Sequence, residues 1–283
     1  MNHRIQQINL PDETITEVSI FEPSKANNYT ILLLPALGVW ASYYKSFAAA
    51  LAEQGYTVIA ADWRGNGRSP VRASRDSNWG YETLIRDTEA VLRYIKSNYT
   101  NKGTILLGHS LGGQLGSLLT AQFPDMVKGI CLVASCNVHY VGWNGNLRFL
   151  LKSVGYLTPI IGNIFGHFPG KALGFGGKEA RGVMSDWAFT LLKGQYIPKE
   201  QSFDYEQAIG KTIKPVLAIS IDKDHLAPYK AVENLYKKLH ISSPVEHRHI
   251  GTQETGIQKL DHFKWAKHPA HFVPIIDQWI STL

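Results

Sequence analysis

Apolar and polar positions follow two different periods along the 283-residue chain. Residues 29–35 (YTILLLP) and 57–61 (TVIAA) are apolar runs too short for helices and typical of buried strands. Longer segments such as residues 81–97 carry apolar side chains at helical spacing. Apolar strands separated by helices predict an α/β protein with a mostly parallel central sheet flanked by helices.

The same two patterns continue to the end of the chain. Further strand-like runs lie at 104–107, 129–134 (GICLVA), 215–221 (PVLAISI) and 245–250. Further helical patterns lie at 42–54, 111–123, 230–239 and 273–283. Residues 15–21 alternate in polarity, which is consistent with the opening strand of a hairpin.

Residues 135–202 interrupt this rhythm with glycines, prolines and aromatic residues and little strand pattern. We expect them to form a mainly helical cap, inserted between two strands of an α/β core that comprises residues 1–134 and 203–283. No Asp or Glu occurs from Met126 to Lys178.

Composition narrows the functional class. Cys131 and Cys136 make neither a disulfide framework nor a metal cluster, which favours a reducing cytoplasm. The net charge of +6 comes without a Lys/Arg block, so nucleic acid is not an expected partner. No stretch reaches the roughly 18 apolar residues of a membrane span, and the first residues lack the apolar core of a signal peptide.

The run GTILLGHSLGG (103–113) places Ser110 between a predicted strand and a predicted helix. Gly108 and Gly112 flank it, as a sharp strand-to-helix turn with a nucleophilic serine requires. An ordinary N-cap serine is the alternative. The strand before and the helix after favour the nucleophile.

A serine nucleophile needs a base, oriented by an acid, at the carboxyl ends of later strands. Asp222 and Asp224 both follow the run PVLAISI, while no carboxylate follows GICLVA. We favour Asp224 because it lies in the loop that leads to Pro228, and Asp222, nearer the strand end, is the alternative.

His262 is the candidate base because the segment LDHFKW lies between the last strand and the last helix. His247 and His249 are expected within that strand, and His268 and His271 at or near the final helix. For the oxyanion hole we expect the backbone N–H groups of Leu111 and Leu37. Gly38 would let the loop after YTILLLP fold tightly, although an ordinary turn explains this glycine as well.

With these residues, the chain resembles an α/β-hydrolase over nearly all of its length. Residues 62–69 (DWRGNGRS) are similar to the D-x-R-G-x-G-x-S loop of that family. Residues 34–70 resemble a bacterial group of predicted α/β-hydrolases of little assigned function. The resemblance implies Ser110 as nucleophile, Asp224 as acid and His262 as base, with Leu37 and Leu111 as oxyanion donors.

Two positions depart from the family pattern. The usual His-Gly before the oxyanion residue is Pro35-Ala36, and the usual Gly before the histidine is Asp261, a candidate second partner for the imidazole.

The expected function is a cytoplasmic serine hydrolase that cleaves a carboxylic ester with an apolar acyl or alcohol portion. We expect a small-molecule substrate and neither a cofactor nor a metal ion. The aromatic residues of the cap are either its core or the lining of a substrate pocket, with Phe149 and Phe165 as first candidates for the lining. A thioesterase or acyltransferase, and a non-catalytic ligand-binding protein, are the alternatives.

Five cations in and near the cap have few acids to balance them. They are either a solvated basic face or a surface for an anionic head group, so peripheral membrane contact is a further expectation. These residues are Lys128, Arg148, Lys152, Lys171 and Lys178.

Overall fold

A computed structural model describes residues 1–27, 29–99 and 103–283. Its centre is an eight-stranded sheet with the strand order β1-β2-β4-β3-β5-β6-β9-β10, and β7 and β8 form a separate small hairpin. The strands are β1 (Asn2–Asn9), β2 (Ile15–Glu22), β3 (Tyr29–Leu34), β4 (Thr57–Ala61), β5 (Gly103–His109), β6 (Gly129–Val133), β7 (Phe168–Pro169), β8 (Lys178–Glu179), β9 (Val216–Ile221) and β10 (Val245–Ile250).

Helices connect most of the strands. They are α1 (Lys45–Glu53), α2 (Tyr81–Asn98), α3 (Leu111–Gln122), α4 (Gly145–Phe165), α5 (Gly170–Leu173), α6 (Arg181–Lys193), α7 (Tyr205–Lys211), α8 (Tyr229–Tyr236), α9 (Thr252–Thr255) and α10 (Pro269–Ile280). The predicted helix 42–54 is a 3₁₀ turn, Ala41–Tyr44, followed by α1. The last helix begins at Pro269, four residues before its predicted start at 273.

The predicted fold class is confirmed. The six strands from β3 to β10 within the large sheet pair in parallel, while β1 and β2 pair antiparallel with each other and β2 pairs antiparallel with β4. The prediction that residues 15–21 open a hairpin is wrong, because β2 closes a hairpin that β1 opens. Strand β1 lies at the sheet edge with mostly exposed side chains, so few apolar residues mark it in the sequence.

The direction of winding reverses between β3 and β5. From β3 the chain passes through α1 to β4 on one side, and then through α2 to β5 on the other side. Right-handed crossovers in opposite directions place the two helices on opposite faces of the sheet. Such a reversal leaves a crevice at the carboxyl ends of the two strands, where α/β proteins bind ligands.

The segment between β6 and β9 contains α4, α5, α6 and α7 and the small hairpin. Helix α4 packs on α6 through small residues: a β-carbon on Gly155 would lie 2.8 Å from Leu192 Cδ2, and Thr158 and Gly162 are buried on the same face. The division into a core and a cap at residues 135 and 202 stays a prediction. Among the helices of the described residues, none combines the length and the apolar character that a membrane crossing requires.

Helix α3 begins in close contact with the end of β3. A β-carbon on Gly112 would lie 2.1 Å from the carbonyl oxygen of Leu34. One turn later, a β-carbon on Gly116 would find its nearest neighbour, Leu34 Cδ1, at an ordinary 3.4 Å. The helix therefore tolerates a side chain at one glycine and not at the other.

We expect Gly112→Ala to lower the free energy of unfolding by about 1–3 kcal/mol or more, because backbone has to move. Gly116→Ala is the matched control, and it should be neutral or stabilising by up to about 1 kcal/mol, because alanine favours the helix. Urea unfolding of both variants measures the difference. Equal stability of the two variants would contradict the close approach.

Candidate active site

Ser110 lies at the sharp turn between β5 and α3 with φ 53° and ψ −115°, a conformation that L-residues rarely adopt. Its backbone N–H donates to the Val133 carbonyl at 3.2 Å. A β-carbon on Gly108 would lie 2.3 Å from the backbone nitrogen of Gly113, so the turn is too tight for side chains on both arms. The N-cap alternative is not supported, since the Ser110 side chain makes no capping hydrogen bond.

Asp224 and His262 are joined by a hydrogen bond of 2.7 Å between Oδ2 and Nδ1, and both side chains are buried. The other carboxylate oxygen of Asp224 accepts from the backbone N–H groups of Leu226 and Ala227, at 2.8 and 3.1 Å. An ionised carboxylate only accepts, so the imidazole proton lies on Nδ1 and Nε2 keeps a free lone pair. The pair has the arrangement of a base held by an acid.

The alternative partners are placed elsewhere. Asp222 lies against Gly251 at the start of the loop that follows β10. Asp261 accepts from the backbone N–H groups of Phe263 and Lys264, so it caps the loop and is not a second partner of His262.

The other histidines occupy the predicted places. His247 and His249 lie in β10, and both contact the Ser220 hydroxyl, at 2.9 and 2.8 Å. His268 is the N-cap residue of α10, and His271 lies within that helix.

His109, directly before Ser110, was not predicted as a functional residue. Its ring is fully buried, with its centroid 4.9 Å from that of His262. The Tyr44 hydroxyl accepts from the Ala36 N–H at 3.1 Å and lies 2.6 Å from His109 Nδ1. A single buried hydroxyl therefore serves both the Ala36 N–H and the His109 ring. Burial, and secondly the neighbouring His262, hold the pKa of His109 well below its ordinary value, so the ring is neutral.

Tyr44 thus connects the serine strand to the loop after β3, which carries the candidate oxyanion residue. The only sequence signal for this link is the histidine in GHSLGG, because nothing marks Tyr44 as its partner.

The loop after β3 is held from several sides. Trp63 Nε1 donates to the Pro35 carbonyl at 2.8 Å, and Gly38 has φ 70°. A β-carbon on Gly38 would lie 2.3 Å from the backbone nitrogen of Gly177, so the segment after α5 rests on this loop. Within the described residues, the N–H groups of Leu37 and Leu111 have no hydrogen-bond partner.

Glu179 ties the same segment to the loop DWRGNGRS. This buried carboxylate accepts from the Gly177 N–H at 2.8 Å and from Asn66 Nδ2 at 3.4 Å. Burial raises the pKa of Glu179, and the two hydrogen bonds oppose that rise. The sequence alone did not indicate Glu179 or Asn66, since neither belongs to the predicted triad.

Three further expectations concern the Ser110–His262 contact, the pocket lining and metal ligands. Across the described ranges, no hydrogen bond joins the Ser110 hydroxyl to His262, and a contact of this kind is often long without substrate. Phe149 and Phe165 are 71% and 57% exposed, so their role as pocket lining stays a prediction. In the part of the chain described, no three His, Cys, Asp or Glu side chains meet as metal ligands.

Comparisons with known proteins agree with this architecture. A family model described as the alpha/beta hydrolase fold matches residues 29–158. This chain has the α/β-hydrolase fold. The solved structure of a thermophilic esterase from Thermogutta terrifontis superposes with a TM-score of 0.67 at 13% identity, covering 99% of this chain and 98% of that one.

Two curated relatives match by sequence. An uncharacterized protein of Mycobacterium tuberculosis is 25% identical over 276 residues, which cover 89% of this chain and 75% of the relative. RutD of Variovorax paradoxus, a candidate carbamate hydrolase, is 26% identical over 236 residues, which cover 74% and 79%. The predicted resemblance to α/β-hydrolases, including a bacterial group of little assigned function, is confirmed.

Tyr44→Phe should lower the free energy of unfolding by at least about 2 kcal/mol, because it leaves His109 Nδ1 and the Ala36 N–H buried without partners. Tyr43→Phe is the matched control: its hydroxyl donates to the Phe263 carbonyl at the exposed surface, and its loss should cost about 1 kcal/mol or less. Thermal unfolding of both variants measures the difference. Equal losses of unfolding free energy in the two variants would contradict a stabilising role of the buried Tyr44 hydroxyl.

Proposed function

We propose that the protein is a serine hydrolase that cleaves a carboxylic ester with an apolar portion through an acyl-enzyme on Ser110. The observation that carries this proposal is the buried Asp224–His262 hydrogen bond, next to a serine held in a strained strand-to-helix turn. A serine hydroxyl is a weak nucleophile until a base accepts its proton, and an imidazole oriented by a carboxylate is such a base.

In the first half of the reaction, Ser110 Oγ attacks the ester carbonyl carbon while its proton passes to His262 Nε2. The carbonyl oxygen becomes an oxyanion, which accepts from the N–H groups of Leu37 and Leu111. These two amides suit the role because they are free of other hydrogen bonds in the described residues and lie after neighbouring strands. The developing imidazolium is stabilised by Asp224, which stays ionised.

Acylation is completed when the ester bond between the carbonyl carbon and the alcohol oxygen breaks and His262 gives its proton to the departing alcohol. Water then attacks the acyl-serine, with His262 again as the base, and the acid is released as Ser110 regains its proton. The neutral, buried ring of His109 adds no charge beside this proton transfer.

The relatives support a hydrolytic function, and they add a second class of bond, the carbamate, to the candidate substrates. An esterase shares the fold, and the carbamate hydrolase candidate RutD shares sequence over 74% of this chain. That second match favours a carbamate as an alternative substrate class, because the same triad attacks a carbamate carbonyl. A panel of p-nitrophenyl esters, carbamates and acyl thioesters, compared by kcat/KM, separates these classes and tests the thioesterase alternative.

We also propose that residues 135–202 form a cap over Ser110. Two contacts with the core support this placement: Gly177 rests on Gly38 of the oxyanion loop, and Trp143 Nε1 donates to the carbonyl of His225, next to Asp224, at 2.8 Å. Trp143, Phe168 and Trp187 are buried aromatic residues of this segment, and an apolar cap suits a substrate with an apolar portion.

Ser110→Ala should lower ester hydrolysis by at least about 10³-fold and abolish labelling by a fluorophosphonate probe, because the nucleophile is removed. Ser117→Ala is the matched control, since it removes a serine hydroxyl from α3, the helix that follows Ser110, and should keep labelling. Circular dichroism verifies the fold of both variants. Half-retained activity in Ser110→Ala would overturn the assignment, and failure of the unmodified protein to label would favour a non-catalytic ligand-binding protein.

His262→Ala should be nearly as severe as Ser110→Ala, because His262 carries the proton, while Asp224→Asn should be damaging but milder. His249→Ala is the control: this ring contacts Ser220 within β10 and should matter far less for turnover. Steady-state kcat/KM on one ester measures all three variants. Near-normal turnover by His262→Ala together with loss in His249→Ala would reverse the assignment.

A further inference from the structure

One surface of the molecule is apolar where a helix normally carries polar residues. Helix α4 is 21 residues long, or about 32 Å, and its packed side faces α6. On the opposite side, seven large apolar residues recur at helical spacing, each between 53 and 71% exposed. We call this set the outer face of α4: Phe149, Leu150, Tyr156, Leu157, Ile160, Ile164 and Phe165.

Single exposed apolar side chains are common in soluble proteins, but a continuous apolar stripe along one helix marks an interaction surface. The close packing at Gly155 and Gly162 fixes which side of α4 points outward. The outer face is therefore set by the way α4 packs on α6.

The exposed charges of residues 135–199 all have one sign, and the next residue, Glu200, is an exposed carboxylate beside Lys199 in a pocket that Asn163 of α4 also lines. Between residues 135 and 199 the chain contains only two carboxylates, Glu179 and Asp186, and they are 4% and 5% exposed. The same segment contains seven cations, of which six are exposed and one, Arg181, is half-buried. These are Arg148, Lys152, Lys171, Lys178, Arg181, Lys193 and Lys199.

Two of the cations belong to α4 itself. Arg148 and Lys152 are exposed and lie over the ring of Tyr140, at 5.4 and 5.7 Å from its centroid. An apolar stripe bordered by cations is the pattern of helices that lie in a lipid interface, with the stripe in the acyl region and the cations at the head groups.

We propose that the outer face of α4 docks on the surface of an anionic lipid bilayer. The absence of exposed carboxylates from residues 135–199 carries the choice of an anionic partner, since each Lys or Arg near such a surface adds attraction. A second copy of this chain fits less well in parallel pairing of the two outer faces, which would bring Arg148 and Lys152 of both copies together, and light scattering tests this occupant in either orientation. The proposal does not depend on ester hydrolysis.

The test is sedimentation of the full chain with vesicles of phosphatidylcholine containing phosphatidylglycerol, against vesicles of phosphatidylcholine alone. We expect binding to the anionic vesicles that weakens as salt is raised, because exposed charges are screened. Arg148→Gln and Lys152→Gln should each weaken binding by about fivefold.

The apolar part is tested by the triple variant Leu157→Gln, Ile160→Gln and Ile164→Gln, which should lose at least about tenfold in binding. The matched control places Gln at three exposed apolar positions outside the cap, Ile15, Ile213 and Ile241, and should bind as before. Circular dichroism and thermal unfolding verify that both variants fold.

Three results would overturn the proposal. They are failure of the unmodified protein to bind anionic vesicles, equal losses in the triple variant and its control, and equal binding to neutral vesicles. Light scattering adds a fourth: a dimer that the triple variant abolishes would show that a second copy covers the outer face.

Discussion

The candidate site depends on the close approach of two backbone segments at the point where the sheet changes its direction of winding. Strand β3 pairs in parallel with β5, with Leu34 opposite Gly108, so the loops after both strands begin side by side. Gly112 then lets α3 start directly against the Leu34 carbonyl. Because β3 and β5 are neighbours, the amides of Leu37 and Leu111 follow adjacent strand ends. Because Gly112 has no side chain, the two segments approach closely at the strained Ser110.

Buried polar contacts hold the parts that this approach brings together. The Tyr44 hydroxyl joins the serine strand to the loop after β3, and Asp224 joins the turn after β9 to the His262 loop. Breaking a hydrogen bond inside a protein costs free energy, so each of these bonds restricts the movement of its loop. The candidate site therefore consists of four loops at the carboxyl ends of the parallel strands, and hydrogen bonds hold these loops in place.

The segment between β6 and β9 has two sides with different chemistry. Its inner side reaches the core through the contact of Gly177 with Gly38 and through the hydrogen bonds of Glu179. Its outer side presents the apolar stripe of α4 among cations. A segment that touches the loop after β3 on one side and a lipid surface on the other would hold the candidate site close to apolar substrates.

The sequence by itself determined the α/β class, most helices and strands, and the candidate residues Ser110, Asp224 and His262, because buried strands, amphipathic helices and glycine-flanked turns leave local patterns. It did not reveal β1, whose exposed edge position requires few apolar residues. Only the tertiary structure decided that Asp261 caps its own loop, that Tyr44 reaches His109, and that the apolar residues of α4 face outward. Each of these depends on which distant segment covers a side chain, and spacing along the chain does not contain that information.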